Sequence, residues 1–187
     1  MNKSRLKLLV IMSVFITPII LAFLLQPMKD ELIAKGSISH GQLVTPQIEL
    51  IDLAEVAELK GSWTLLTFAD KHCGETCLEA MHRIKQVRLT QGEEVKRISR
   101  MLISNGKLPV KDLEALNPYI GTKFIRLTDL QYQALTAVIK NNENMKLEDN
   151  IYLIDPLGYY MMKFPNSMVP KGIIMDLKYL LKNSRIG

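Results

Sequence analysis

The chain has 187 residues, 48% of them hydrophobic and 23% charged, which is enough for one domain of ordinary size whose core needs no disulfide staples. Its formal net charge is +5, but Lys3, Arg5 and Lys7 precede one uncharged N-terminal run, and the remainder carries 21 basic residues against 19 acidic ones. With no Lys/Arg-rich tract and no basic patch interleaved with aromatic residues, the composition excludes a nucleic-acid binder.

From Leu8 to Leu25 the chain reads "LLVIMSVFITPIILAFLL" without a charge. An 18-residue helix spans roughly 27 Å, enough to cross a bilayer core with little tilt. The run is longer than the apolar core of a cleaved signal peptide, and no A-x-A-like site follows it. The sequence therefore predicts a retained membrane anchor over residues 1–25. Positive charge before the span and none acidic there leaves the N-terminus in the cytoplasm and sends everything after Gln26 across the membrane.

Residues 26–42, polar with Gly and Pro, read as a linker, and 43–187 as the exported domain. "GSWTLLTFAD" (61–70) predicts a buried central strand. After a loop, "CLEAMHRIKQVRLTQ" sets Cys77, Met81, Ile84 and Val87 on one helical stripe, with Glu79, Arg83 and Lys85 off it. "RMLISNG" (100–106) predicts a strand, "PVKDLEALNPYIG" a short helix and "KFIRLTD" (123–129) another strand. In "LQYQALTAVIKNN", Leu130, Ala134, Leu135, Val138 and Ile139 are expected on a helical face. "NIYLIDPLGYYMMKF" is a hairpin signal around "DPLG", and "VPKGIIMDLKYLLKN" an amphipathic closing helix. Strands alternating with helices, then a hairpin and a helix, predict an α/β fold with a mixed sheet flanked by helices.

The only two cysteines, Cys73 and Cys77, fall in "DKHCGETCL", between the first buried strand and its helix. That spacing admits a metal clamp, a redox couple or a fixed disulfide. A cysteine at a helix N-terminus lies near unpaired backbone N–H groups, which stabilise its thiolate. Lys71 and His72 favour the same charge, and Glu75 opposes it. No G-x-S-x-G, H-E-x-x-H, P-loop or dinucleotide fingerprint is present.

The stretch "GSWTLLTFADKHCGETCLEAMHRI" resembles the Sco/SenC family of membrane-anchored, thioredoxin-fold proteins. Gly61, Trp63, Leu65, Leu66, Phe68, His72, Cys73 and Cys77 match its signature of a strand, a His and C-x3-C. The segments "MLISNGKLPVKDLEALNPYIGTKFIRLTD" and "NIYLIDPLGYYMMKF" resemble the family's later elements. The resemblance implies a thioredoxin-like fold on a single-pass anchor in the cytoplasmic (inner) membrane, with its C-terminal domain periplasmic. It also implies a role in assembling the copper centre of a respiratory cytochrome c oxidase, by delivering copper or reducing the receiving cysteines. The expected partners are an oxidase subunit or its assembly factors.

Two departures stand against a direct transfer. Leu78 follows the second cysteine where the family has Pro, and "NMKLEDNIYLID" holds no His where the family supplies a third copper ligand; Leu147 falls near that place. Cys73 and Cys77 remain as candidate redox residues and Cu(I) ligands, with Met145 a candidate third ligand because a thioether is soft. The competing reading makes Met145 a filler of the core. His40 is expected to be a solvated linker residue, His72 to point away from the sulfurs, and His82 to face solvent or a neighbouring element. Asn150 stands near where thiol oxidoreductases of this fold place a Pro. Three readings stay open: an oxidase assembly factor handling copper or thiols, a membrane-tethered thiol–disulfide exchange enzyme, and a non-catalytic scaffold with a structural disulfide.

Overall fold

The computed structural model describes residues 12–18, 20–21, 39–50, 60–140 and 145–187. Chain contacts divide it into two units, residues 1–38 and 39–187. In the first, residues 12–18 and 20–21 are helical. Among the described residues no helix is long and apolar enough to cross a membrane. The rest of the expected Leu8–Leu25 span, and the linker up to residue 38, lie outside the described residues.

In the second unit, β1 (Gln42–Glu49) is followed by β2 (Trp63–Ala69), α1 (Glu75–Leu89), β3 (Ile98–Asn105), α2 (Val110–Ala115), β4 (Lys123–Leu127), α3 (Asp129–Lys140), β5 (Asn150–Ile154), β6 (Tyr159–Pro165) and α4 (Pro170–Asn183). The six strands form one sheet in the order β1-β6-β5-β2-β3-β4. β2, β3 and β4 run parallel through helical crossovers, while β5, β6 and β1 pair antiparallel. The mixed α/β sandwich expected from the element order is the one observed.

β2 lies at the centre of the sheet because all seven of its residues are buried. Strand alternation sends Leu66 and Phe68 to one face and Trp63 and Leu65 to the other. The first face packs with Tyr132, Leu135 and Ile139 of α3, and the Phe68 ring sits edge-on to Tyr132 and Tyr152 at 6.1 and 5.3 Å between centroids. The second face packs with α1 and α4 through Ala80, Ile84, Val87, Ile173, Leu177 and Leu181. Glu75 in the first turn of α1 and Arg88 in its last suit the helix dipole, and Pro170 opens α4 at a position where a missing N–H costs nothing. The β5–β6 turn closes as "DPLG" suggests: Asp155 Oδ1 accepts the N–H groups of Leu157 and Tyr159, both at 2.9 Å, and Gly158 takes φ 97°.

Three expectations are corrected here. The segment Gln42–Glu49 is a strand, β1, at the edge beside β6, where the sequence reading ends the linker at residue 42 and names no element before residue 61. The buried stripe of α3 is Tyr132, Leu135 and Ile139, with Leu130, Ala134 and Val138 exposed, because the helix is turned so that Tyr132 meets Phe68. His40 is no solvated linker residue. Its backbone N–H and that of Gly41 donate to Asp176 Oδ2 of α4 at 2.7 and 2.8 Å, and its Nδ1 lies 2.9 Å from Asp176 Oδ1. The Asp176 side chain is 4% exposed. A buried carboxylate needs such partners, and they tie the start of β1 to α4.

Candidate functional site

The site grows from the C-terminal end of β2. Beyond Ala69 the chain turns through residues 70–74 before α1 begins at Glu75. Asn105, at the end of β3, braces this turn: its Nδ2 donates to Asp70 Oδ1 at 2.9 Å and its backbone N–H to Asp70 O at 3.1 Å. Cys73 lies two residues before the helix and Cys77 is its third residue. They form a disulfide with Cα atoms 5.1 Å apart.

Both cysteines are nearly covered, Cys73 at 3% and Cys77 at 2% exposure, in a cluster with Ala69, Met81, Leu102, Leu108 and Leu116. A cleft of about 690 Å³ opens beside them. Cys73, Glu79 and His82 line one wall, and Lys111, Asp112 and Tyr119 the other. Cys73 borders this cleft, while Cys77 is packed within the apolar cluster.

Asp112 of α2 joins the two walls. Its Oδ2 accepts the backbone N–H of Cys73 at 2.9 Å and lies 3.6 Å from Nδ1 of His72. The His72 side chain is 76% exposed and turns toward Asp112 rather than the sulfurs, as its position beside Cys73 suggests. Farther along α1, Lys85 donates to Pro118 O at 3.0 Å and lies 5.9 Å above the Tyr119 ring, which holds the far wall to the helix. Sequence reading did not find Asp112. "PVKDLEA" marks a helix, but nothing local says that its carboxylate reaches a loop 39 residues earlier.

Met145 is not brought to the sulfurs. It packs against the cluster formed with α3, on the opposite face of the sheet, where the Lys163 ammonium donates to its sulfur at 3.8 Å. Among the described residues, no group of three or more His, Cys, Asp or Glu side chains is placed to hold a metal ion. Cys73 and Cys77 are the two thiol sulfurs of the site, and the thioether of Met81 packs in the same cluster. Once reduced, a sulfur pair of this kind can exchange with another thiol or grip Cu(I) at low coordination number.

Residues 63–184 match the family model described as the transmembrane-like, thioredoxin-like, C-terminal domain. No curated protein matches the sequence. Among solved structures the chain is similar to Bradyrhizobium japonicum ScoI with copper bound, at 18% identity and TM-score 0.52, covering 66% of this chain and 88% of that one. It is also similar to BsSco, a member of the Sco family of cytochrome c oxidase assembly proteins in which a disulfide switch was identified, at 16% identity and TM-score 0.51, covering 68% and 85%. The thioredoxin domain of a Bacteroides vulgatus thiol-disulfide oxidoreductase matches at 15% identity and TM-score 0.51, covering 74% and 95%. At these identities the likeness is one of fold. Sco proteins are thus among the structural neighbours, in line with the resemblance around Cys73.

Proposed function

The chain belongs to the family of transmembrane-like, thioredoxin-like C-terminal domains, and from that premise we propose that it is a membrane-anchored, Sco-like accessory factor that exchanges thiols with a partner protein in cytochrome c oxidase biogenesis. The observation that carries the reading is the closure of Cys73 and Cys77 into a disulfide beside a cleft, at the N-terminus of a 15-residue helix. A partner thiolate attacks Sγ of Cys73, the S–S bond breaks, and Cys77 leaves as a thiolate that takes up a proton. A second partner thiol attacks the mixed disulfide and releases Cys73. The partner ends as a disulfide and the Cys73–Cys77 pair as two thiols; run backwards, the same steps reduce the partner.

Cys73 is the attacked atom because it borders the cleft, and the helix N-terminus stabilises the thiolate it becomes. The reduced pair supplies two soft ligands for Cu(I) as cargo. The Sco neighbour with copper bound supports that role, with the oxidase or its assembly factors as the receiving partner.

The test is equilibration of the full chain in detergent micelles with mixtures of reduced and oxidised glutathione, followed by acid trapping and thiol labelling. Reversible cycling, abolished in Cys73→Ser, is the expected result. A disulfide that resists excess dithiothreitol until urea unfolds the chain would replace exchange with the scaffold reading, which the near-complete burial of both sulfurs favours. A Cu(I) competition titration of the reduced protein, with Cys73→Ser and Cys77→Ser beside it, measures the cargo role separately.

A further inference from the structure

A second concavity lies across α2 from the disulfide cleft. Strand β4 forms one edge of the sheet and pairs with β3, Phe124 opposite Leu102 and Arg126 opposite Ser104. Paired residues of parallel strands share a face, so these four side chains form a floor. Leu113 of α2 and Leu108 of the preceding loop form the wall, and the hollow between is about 230 Å³.

That volume is below the roughly 300–1,000 Å³ of a small-molecule site and suits a single large apolar side chain. The surroundings are apolar and open. Phe124 is 46% exposed and Leu113 43%, and Val110, one turn before Leu113 on α2, is more exposed still. Charges on edge strands commonly guard against aggregation. Here Lys107 and Arg126 both line the hollow and, among the described residues, no acidic one does, so the rim also selects by sign.

We infer that the groove between β4 and α2 docks an extended, acidic segment of the partner protein, inserting one apolar side chain while Lys107 and Arg126 meet the flanking carboxylates. The outer edge of β4 supplies main-chain donors and acceptors for such a segment, and the pocket reads its side chain, which is the division of labour in strand addition. Leu102 and Leu108 belong both to the groove and to the cluster that holds Cys73 and Cys77. Leu113 faces the groove, while Lys111 and Asp112 face the cleft. The groove and the disulfide thus share packing through Leu102 and Leu108, while α2 stands between the two concavities. The inference rests on the thiol-exchange reading for what the partner brings, and not for the binding itself.

The probe is a fluorescein-labelled, cysteine-free heptapeptide with one Phe between Glu and Asp residues, set against the same peptide with Lys in place of the acids. Both are titrated into the full chain in micelles with its disulfide intact, and anisotropy is read. The acidic peptide is expected to bind at least tenfold more tightly, with a margin that narrows as salt is raised. Lys107→Glu with Arg126→Glu is expected to reverse the order, and Phe124→Ser to weaken both peptides. The two charge reversals alter only exposed side chains, so they stay informative if Phe124→Ser fails to fold. Equal binding of the two peptides, or indifference to the reversal, overturns the inference. So does sedimentation showing a dimer that Phe124→Ser breaks, which would make a second copy the occupant. Because the peptide has no thiol, its failure to bind leaves the exchange reading intact, and peptide binding by a protein whose disulfide never cycles removes that reading alone.

Discussion

The backbone N–H of Cys73 donates to the carboxylate of Asp112 at 2.9 Å, so the cysteine loop is held by a helix that begins 37 residues after it. The bond fixes the segment carrying the disulfide against the far wall of the cleft.

Replacing Asp112 by Ala removes a charged acceptor from a mostly buried donor. The expected loss is roughly 1–2 kcal/mol, at the lower end for a hydrogen bond to a charged group because the Asp112 side chain is 17% exposed. Asp112→Asn, which keeps an acceptor, loses less. Urea unfolding measures the loss, and the rate at which dithiothreitol reduces the folded protein is expected to rise in the Ala variant.

Asp176→Ala strikes the other long-range anchor. The amides of His40 and Gly41 lose their shared acceptor, and the expected destabilisation is about 2–4 kcal/mol. Hydrogen exchange separates a local effect from a global one. If β1 loosens before the rest, the His40 and Gly41 amides lose protection while those of β2 and β3 keep theirs.

Phe68 sits at the centre of the aromatic contacts and is fully covered. Phe68→Ala is expected to cost about 3–5 kcal/mol, from lost burial and the cavity left between Tyr132 and Tyr152. Phe68→Leu, which fills most of that space, recovers a large part of it. The midpoints of denaturant unfolding rank the three proteins.

Alkaline pH offers a test of the same cluster. Burial raises the phenols of Tyr152 and Tyr132 far above their usual 10.0, helped at Tyr152 by Tyr160 and at Tyr132 by Glu148. Both stay protonated in the folded chain at a pH where the unfolded chain ionises them. The unfolded state gives up protons first, so this stability is fully present below pH 10 and declines as pH rises beyond it. The slope is up to ~1.4 kcal/mol per pH unit for each tyrosine. Tyr152→Phe removes its share of that slope, which separates it from lysine titration in the same range. An equal slope in wild type and variant would refute the assignment.

Much of this architecture was readable locally. β2 announces itself as an uninterrupted apolar run, and α1 through Cys77, Met81, Ile84 and Val87, because periods of 2.0 and 3.6 are written into adjacent residues. The position of the cysteines between those two elements follows at once. The same reasoning mis-set α3. Its apolar residues are spread widely enough that more than one stripe fits, and contact with Phe68 decides among them. β1 was missed because "QLVTPQIE" mixes polar residues and Pro with few apolar ones, and becomes a strand by pairing with β6.

The sequence by itself determined the element order from β2 onward, the mixed α/β class and the place of the sulfur pair at the start of a helix, since each depends on residues within a few turns of one another. Tertiary structure alone decided which distant groups meet that frame. It put Asp112 on Cys73, Asp176 under His40, and Met145 on the sheet face away from the disulfide. A carboxylate 39 or 136 residues away leaves no periodic trace in the chain, because what selects it is the unmet hydrogen-bonding demand of a buried N–H, and that demand exists only once the chain has folded.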